Sequence, residues 1–292
     1  MTRNRFLTAA LALLAAAPFA ADAQRDRDRE YNDRDRRDSR DYRDPRDAEK
    51  WNWSGSVDEG RWLYVRNING TVRVEPGTGN TIEVQALKYP GRRGNTRDVK
   101  ITVEQRSGRG DVVICAIWNE NSRCDEDGYR SGSSGRNWWG GDRDNRNDVS
   151  VDFVVRLPRG VRITASSVNG GVEVDGVESE VVAHTVNGNV TARTNGGPVS
   201  ARTVNGSLDV RTGELGRGDL DYSTTNGQIT LEIPSGSNAD LDLRTVNGDI
   251  SSDFPLTIEG RFNTRRVRGT IGRGGQLVRL HTTNGSIRVR RL

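Results

Sequence analysis

Two cysteines, two histidines and no long apolar run beyond Ala20 leave little room for most kinds of chemistry in this 292-residue chain. Neither His184 nor His281 lies near Cys115 or Cys124 in sequence, so no Cys/His metal site of familiar spacing can be drawn. Phosphate-cradling glycine loops and nucleophile–base spacings are missing too, and no cofactor is implied. Past Ala20 no apolar stretch is long enough for a membrane-spanning helix, and no cysteine follows that first stretch to carry a lipid. Hydrophobic residues make up only 33% of the chain, too little apolar mass for a large globular core. A sustained helical period is absent throughout.

The N-terminus carries Arg3 and Arg5, then an apolar run from Phe6 to Ala20, then small residues at Ala21-Asp22-Ala23. This is the three-part layout of a secretory leader, residues 1–23, and predicts an exported chain that is periplasmic, on the cell surface or secreted. Its removal takes away Arg3, Arg5 and Asp22, leaving 42 basic and 39 acidic residues, a balance that says little about partners. Residues 24–50 form a linker. Within it, residues 25–47 hold nine Arg against eight Asp and one Glu, with no apolar side chain apart from two Tyr and Pro45. Such a segment cannot bury enough surface to offset chain entropy and is expected to be a disordered tether.

From Trp51 the pattern changes to short alternating segments such as Leu63-Tyr64-Val65, Val72-Arg73-Val74 and Val151-Asp152-Phe153-Val154-Val155, bounded by Gly, Asn and Pro. These are strand signals. Eight Asn-Gly pairs punctuate the chain, and Asn169, Asn187, Asn205, Asn226 and Asn247 recur at a nearly constant interval that lengthens slightly after Asn205. One more step of the longer interval reaches Arg268-Gly269, and a shorter step then reaches Asn284. Written in register, the units give apolar columns: Leu208, Ile229, Ile250 and Ile271; Leu220, Leu241 and Phe262; Val204, Thr225, Val246 and Val267. An all-β β-solenoid of stacked coils with Asn-Gly corners follows, its asparagines able to form a ladder along one corner. The alternative is a meander of hairpins turning at Asn-Gly. In a stack of tandem coils, deleting one unit, residues 224–244, leaves a folded protein.

The segment Leu63-Tyr64-Val65-Arg66-Asn67-Ile68-Asn69-Gly70-Thr71-Val72-Arg73-Val74 resembles the entry of the bacterial putative-adhesin family of β-strand repeats, a domain of unknown function. Residues 151–161, from Val151-Asp152-Phe153 to Arg159-Gly160-Val161, followed by Ser167-Val168-Asn169-Gly170, resemble it most specifically. The resemblance runs over residues 53–292 and implies a β-solenoid-like fold at the bacterial envelope or surface. It implies no activity. The chain departs from the family pattern in an insertion at about 118–149.

Candidate sites are few. In an oxidising compartment Cys115 and Cys124, separated by the stretch from Ala116 to Arg123, are expected to form a disulfide worth about 2–3 kcal/mol through the unfolded state. Trp138 and Trp139 in the insertion could stack on sugar rings or anchor a partner; the alternative is that they fold back on the solenoid. Asp142, Asp144 and Asp148 lack the glycine and distal glutamate of a calcium loop. Asp219 and Asp240, and Asp221 and Asp242, are each one long interval apart, so stacking places the four on one outward patch. Neighbouring coils would hold each pair about 5 Å apart, near the separation in retaining glycosidases. A solvated face that discourages sheet aggregation, or a cation site, competes with that reading.

Charge is unevenly spread. Residues 167–259 hold five Arg against fourteen acidic residues, whereas residues 260–292 hold nine Arg and no acid. Arg261, Arg265, Arg266, Arg268, Arg288, Arg290 and Arg291 are therefore candidates for binding an anionic glycan or lipopolysaccharide. Nucleic acid is disfavoured, because Phe262 is the only aromatic residue there. A polar cap ending the stack is the alternative. The expectation is a non-enzymatic envelope or surface protein for adhesion, binding or scaffolding. Its rivals are a carbohydrate-active β-helix enzyme and a purely structural envelope protein.

Overall fold

The computed structural model describes residues 48–105, 110–119, 121–131, 147–258 and 265–292. The leader, nearly all of the linker, Trp138, Trp139, Asp142, Asp144, Arg261 and Phe262 lie outside them. Two long sheets enclose one narrow hydrophobic core, and most neighbouring strands are parallel, as in a β-solenoid.

The described residues open with β1 (Glu49–Ser56) and then make a coil from β2 (Trp62–Arg66) and β3 (Val72–Pro76). It leaves that coil through β4 (Thr81–Tyr89), β5 (Lys100–Gln105) and β6 (Val112–Ile117), crosses a hairpin of β7 (Ser122–Asp125) and β8 (Gly128–Ser131), and returns in β9 (Ser150–Leu157). Four coils then follow in order. They pair β10 (Arg162–Ser166) with β11 (Val172–Val177), β12 (Val181–His184) with β13 (Val190–Thr194), β14 (Val199–Arg202) with β15 (Leu208–Thr212), and β16 (Leu220–Asn226) with β17 (Ile229–Ile233). The rest comprises β18 (Ala239–Arg244), β19 (Ile250–Ser252), β20 (Thr257–Ile258), β21 (Arg266–Ile271), β22 (Gln276–Asn284) and β23 (Ile287–Arg291).

Alternation decides which side chains face in. Val72, Val172, Val190, Leu208, Ile229 and Ile287 stack along one sheet, sheet A, without exposed surface. Val65, Ala165, Ala183, Ala201, Tyr222 and Leu280 do the same along the other, sheet B. Each buried Val or Leu contributes about 1.5–3 kcal/mol, gained only against the coils above and below. The sequence interval lengthens after Asn205 because the turn from β15 to β16 is longer than that from β13 to β14.

Seven of the eight Asn-Gly pairs, all but Asn195-Gly196, mark one solenoid corner, not hairpin turns. Side-chain amides of Asn187, Asn205, Asn226, Asn284 and Asn247 each donate to the adjoining asparagine of the stack at 2.7–2.9 Å, starting from Asn169. Two residues before each asparagine a second column runs inside the corner. The hydroxyls of Ser167, Thr185, Thr203, Thr224, Thr282 and Thr245 donate to a glycine carbonyl of the neighbouring coil at 2.7–2.9 Å. The hydroxyls of this column are thereby satisfied at every level.

The coils do not stack in sequence order at the ends. Sheet A runs β1-β4-β9-β3-β11-β13-β15-β17-β23-β19, and sheet B runs β5-β6-β2-β10-β12-β14-β16-β22-β18-β21-β20. The last coil, β22 with β23, fills a gap left between β16–β17 and β18–β19. The N-terminal end mirrors this: the β6–β9 coil lies outside the earlier β2–β3 coil. This corrects the columns continued by sequence period. Ile250 is beside Ile287 and Leu241 beside Val278, while Val267 and Ile271 belong to β21, antiparallel to β18 opposite Leu243 and Ala239. The spacing that reaches Arg268-Gly269 is a coincidence of length, because the chain turns back there to cover the edge of β18.

Candidate functional site

The outward residues of sheet B follow from the same alternation. With Leu241 and Leu243 facing the core, β18 turns out Asp240, Asp242 and Arg244; β22 turns out Arg279 and His281, and β21 turns out Arg266, Arg268 and Thr270. Asp242 is the hub of this end. The Arg244 guanidinium grips it in a fork, Nε to Oδ1 at 2.8 Å and Nη2 to Oδ2 at 2.5 Å, and Arg268 Nε approaches Oδ2 at 3.5 Å. Burial opposes ionisation of the Asp242 carboxyl, yet the Arg244 hydrogen bond and the Arg244 and Arg268 charges outweigh it and hold its pKa below the usual value.

The four carboxylates expected on one patch are separated by the intercalated strand. Arg279 lies opposite both Asp221 and Asp242, which are two strands, roughly 10 Å, apart. Asp219 accepts from Arg279 Nη2 at 2.9 Å, and Asp221 pairs with Arg202 at 3.3 Å. Asp240 accepts from Thr270 Oγ1 at 2.8 Å and from the Gly275 amide at 3.1 Å. Close carboxylate pairs are therefore replaced by alternating ion pairs, because the interleaved strand brings a cation between like charges. Among the described residues no cluster of three metal-ligating side chains occurs.

The C-terminal arginines are divided between the two faces. Arg266 sits beside Arg244, and Arg268 beside Asp242, at the end of sheet B. Arg265 adjoins them, its carbonyl accepting from the Thr245 amide at 2.9 Å. Arg288 and Arg290 point out from sheet A instead. Arg288 donates to Gln228 Oε1 at 2.9 Å, and the Arg291 guanidinium lies 5.2 Å from the Phe254 ring centroid. Arg261 lies outside the described residues.

Cys115 and Cys124 form the expected disulfide, with Cα atoms 6.3 Å apart. It pins the β7–β8 hairpin onto the outer face of sheet B, where Val113, Cys115, Ile117 and Cys124 make a second small core with Tyr64 and Tyr129. The Tyr129 hydroxyl lies 2.9 Å from the Arg66 carbonyl and 2.8 Å from that of Ala116. Beside the hairpin, Trp62 and Tyr64 rings are 6.0 Å apart, and the Arg162 guanidinium sits 4.6 Å from the Trp62 centroid.

One outward row of sheet B went unread in the sequence. Arg66, Ser166, His184, Arg202, Ser223, His281, Arg244 and Arg266 are consecutive neighbours in register. The row crosses the strands, one residue about every 4.8 Å along the stack, and contains no carboxylate. Arg66 is covered by the hairpin, whereas Arg202 and Arg266 are exposed. Burial, then the Arg202 and Arg66 charges, pushes the His184 imidazole down to about 4. Burial and Arg244 lower that of His281 in the same way. Both histidines stay neutral at neutral pH, and His281 Nε2 is buried without a hydrogen-bond partner among the described residues.

A model of the family described as Toastrack DUF4097 matches residues 63–290. The fold is similar to that of a putative cell adhesion protein from Clostridium sporogenes, at 9% identity and a TM-score of 0.45, covering 84% of this chain and 100% of that one. A putative adhesin from Bacteroides fragilis is similar at 9% identity and a TM-score of 0.33, covering 84% of this chain and 97% of that one. Neither likeness is close enough to carry a function across. No curated protein matches the chain.

Proposed function

The chain belongs to the Toastrack DUF4097 family, and on that footing we propose that it is an exported, non-enzymatic envelope or surface protein that binds a chain-like anionic polymer along sheet B. The observation that carries this reading is the carboxylate-free row from Ser166 to Arg266. It offers cationic and neutral hydrogen-bonding groups at the even spacing of the strands, and at its C-terminal end Arg244 and Arg268 engage Asp242, with Arg265 and Arg266 exposed beside them. An extended polyanion laid along the solenoid axis, such as an anionic glycan or lipopolysaccharide, can meet several of these groups at once. Export is supported by the leader-like N-terminus and by a disulfide, which persists in oxidising compartments. The non-enzymatic reading is supported by Asp219, Asp221, Asp240 and Asp242. Each is engaged by an arginine, a hydroxyl or an amide, where acid–base catalysis needs carboxyl groups in contrasting environments about a cleft.

The test compares two double reversals of equal charge. Arg202→Glu with Arg266→Glu is expected to weaken retention on beads bearing an anionic polysaccharide at least about tenfold, since attraction becomes repulsion at two points of the row. Arg288→Glu with Arg290→Glu, on the opposite face, leaves retention nearly unchanged. Equal loss from both pairs would mean that bulk charge acts, and retention unaltered by the first pair would overturn the proposal.

A further inference from the structure

Asparagine followed by glycine is the sequence most prone to spontaneous deamidation, because the glycine amide nitrogen meets no side chain on its way to the asparagine Cγ. The chain has eight such pairs, but the fold treats them unequally. In six of them the glycine amide is engaged by the next coil. Gly70, Gly170, Gly188, Gly206, Gly227 and Gly285 each donate to an asparagine carbonyl at 2.8–3.0 Å. The ladder also fixes the side-chain amides of Asn187, Asn205, Asn226 and Asn284 against the neighbouring oxygen. A glycine nitrogen that donates to the next coil cannot give up its proton and turn toward its own asparagine until the corner opens.

Two pairs lack this protection. Asn195-Gly196 lies at a different corner, in the turn from β13 to β14. Asn195 is exposed, its side chain is held only through a 3.2 Å hydrogen bond to the Gly176 carbonyl, and the Gly196 amide has no hydrogen-bond partner among the described residues. Asn247-Gly248 is the open end of the ladder. Asn247 still donates to Asn284 at 2.8 Å, but among the described residues nothing accepts from the Gly248 amide. We propose that Asn195, and after it Asn247, are the deamidation sites of the folded protein, while the corner ladder shields the other six.

In this reaction the Gly196 nitrogen attacks Cγ of Asn195. A nitrogen–Cγ bond forms, the Cγ–Nδ2 bond breaks, and ammonia leaves with the proton from the glycine amide. Water then opens the five-membered imide at either carbonyl, giving aspartate or isoaspartate; no oxidant or reductant takes part. The product loses the donor to the Gly176 carbonyl and sets a carboxylate in its place.

The experiment is peptide mass mapping of the intact chain during incubation in mildly alkaline buffer, folded and in denaturant. In the folded protein Asn195 and Asn247 gain the mass of amide-to-acid conversion. Asn187, Asn205 and Asn226 react at least about tenfold more slowly, the factor expected when two hydrogen bonds must first open. In denaturant the differences vanish. Gly196→Ala, whose Cβ would meet nothing closer than 3.7 Å, suppresses conversion at Asn195 without disturbing the fold. Ladder asparagines reacting as fast as Asn195 in the folded protein would overturn the proposal.

Discussion

Deleting residues 181–198 leaves a soluble, cooperatively melting protein, whereas deleting residues 224–244, a segment of similar length, does not. In the first case the register does the repair. Val181 is the neighbour of Val199, Ala183 of Ala201, Val190 of Leu208 and Ala192 of Val210, so β14 and β15 drop into the places of β12 and β13. β10 and β11 thereby keep parallel partners of the same kind, and the melting temperature falls by only a few degrees. The second deletion removes the end of β16 together with β17 and β18, and β17 and β18 are not neighbours of one tandem unit. With β18 gone, β21 loses its antiparallel partner and β22 its cover, leaving Val278 and Leu280 at an uncapped end. Aggregation or loss of a cooperative transition is the expected result, because stacked repeats need closed ends for solubility. The sequence period alone predicts a folded product from the second deletion; soluble yield and thermal melting of both deletions separate the two accounts.

Gly206→Ala is expected to destabilise the protein by about 4 kcal/mol or more, at the severe end of single substitutions. A Cβ at Gly206 would stand 1.9 Å from the Gly188 carbonyl oxygen and 2.5 Å from its carbon. That carbonyl cannot step aside, since the Thr203 hydroxyl donates to it at 2.9 Å, and the Gly188 amide donates to Asn205 at 3.0 Å. Relief requires parting two coils, which breaks the asparagine ladder at that level. Gly236→Ala is the control, in a turn with nothing within 4 Å of its Cβ position. It should be neutral or stabilising by up to about 1 kcal/mol through the unfolded chain. Denaturant midpoints measured on the two variants decide the matter, and similar midpoints would refute close backbone approach as the reason for glycine at the corner.

The corner was legible from sequence because it is local. Asn and Gly recur with their period, and the buried hydroxyl column could have been read as well, since Thr185, Thr203, Thr224, Thr245 and Thr282 each stand two residues before an asparagine. The order of the coils was not legible. A repeat looks the same whether its neighbour in space is the next copy or the one after, so the step from Asn226 to Asn247 suggested adjacency that Asn284 in fact interrupts. One physical hint was present. Tandem stacking would have set Asp219 against Asp240 and Asp221 against Asp242, like charges on adjacent strands, which is unfavourable. Interleaving the acid-free C-terminal segment puts Arg279 between them. The basic row escaped notice for the same reason, since Ser223, His281 and Arg244 become neighbours only through the interleaved order. The aromatic pair had a plainer signal, as Trp62 and Tyr64 alternate with Leu63 and Val65 and so share a face.

Paired cysteines on sheet A test the interleaved stack, and with it the row on which the binding proposal rests. Thr230 lies opposite Arg288 in register, while tandem stacking would set it opposite Ser251, one sequence interval further on. Adjacent strands are about 4.8 Å apart, within the Cα range a disulfide spans, and strands one place further are at roughly 10 Å, beyond it. Under mild oxidation Thr230→Cys with Arg288→Cys should therefore crosslink in high yield, and Thr230→Cys with Ser251→Cys should not, as read by peptide mapping beside the native Cys115–Cys124 bond. The opposite outcome, a bond between positions 230 and 251 and none between 230 and 288, would contradict the fold described and remove the row from Ser166 to Arg266.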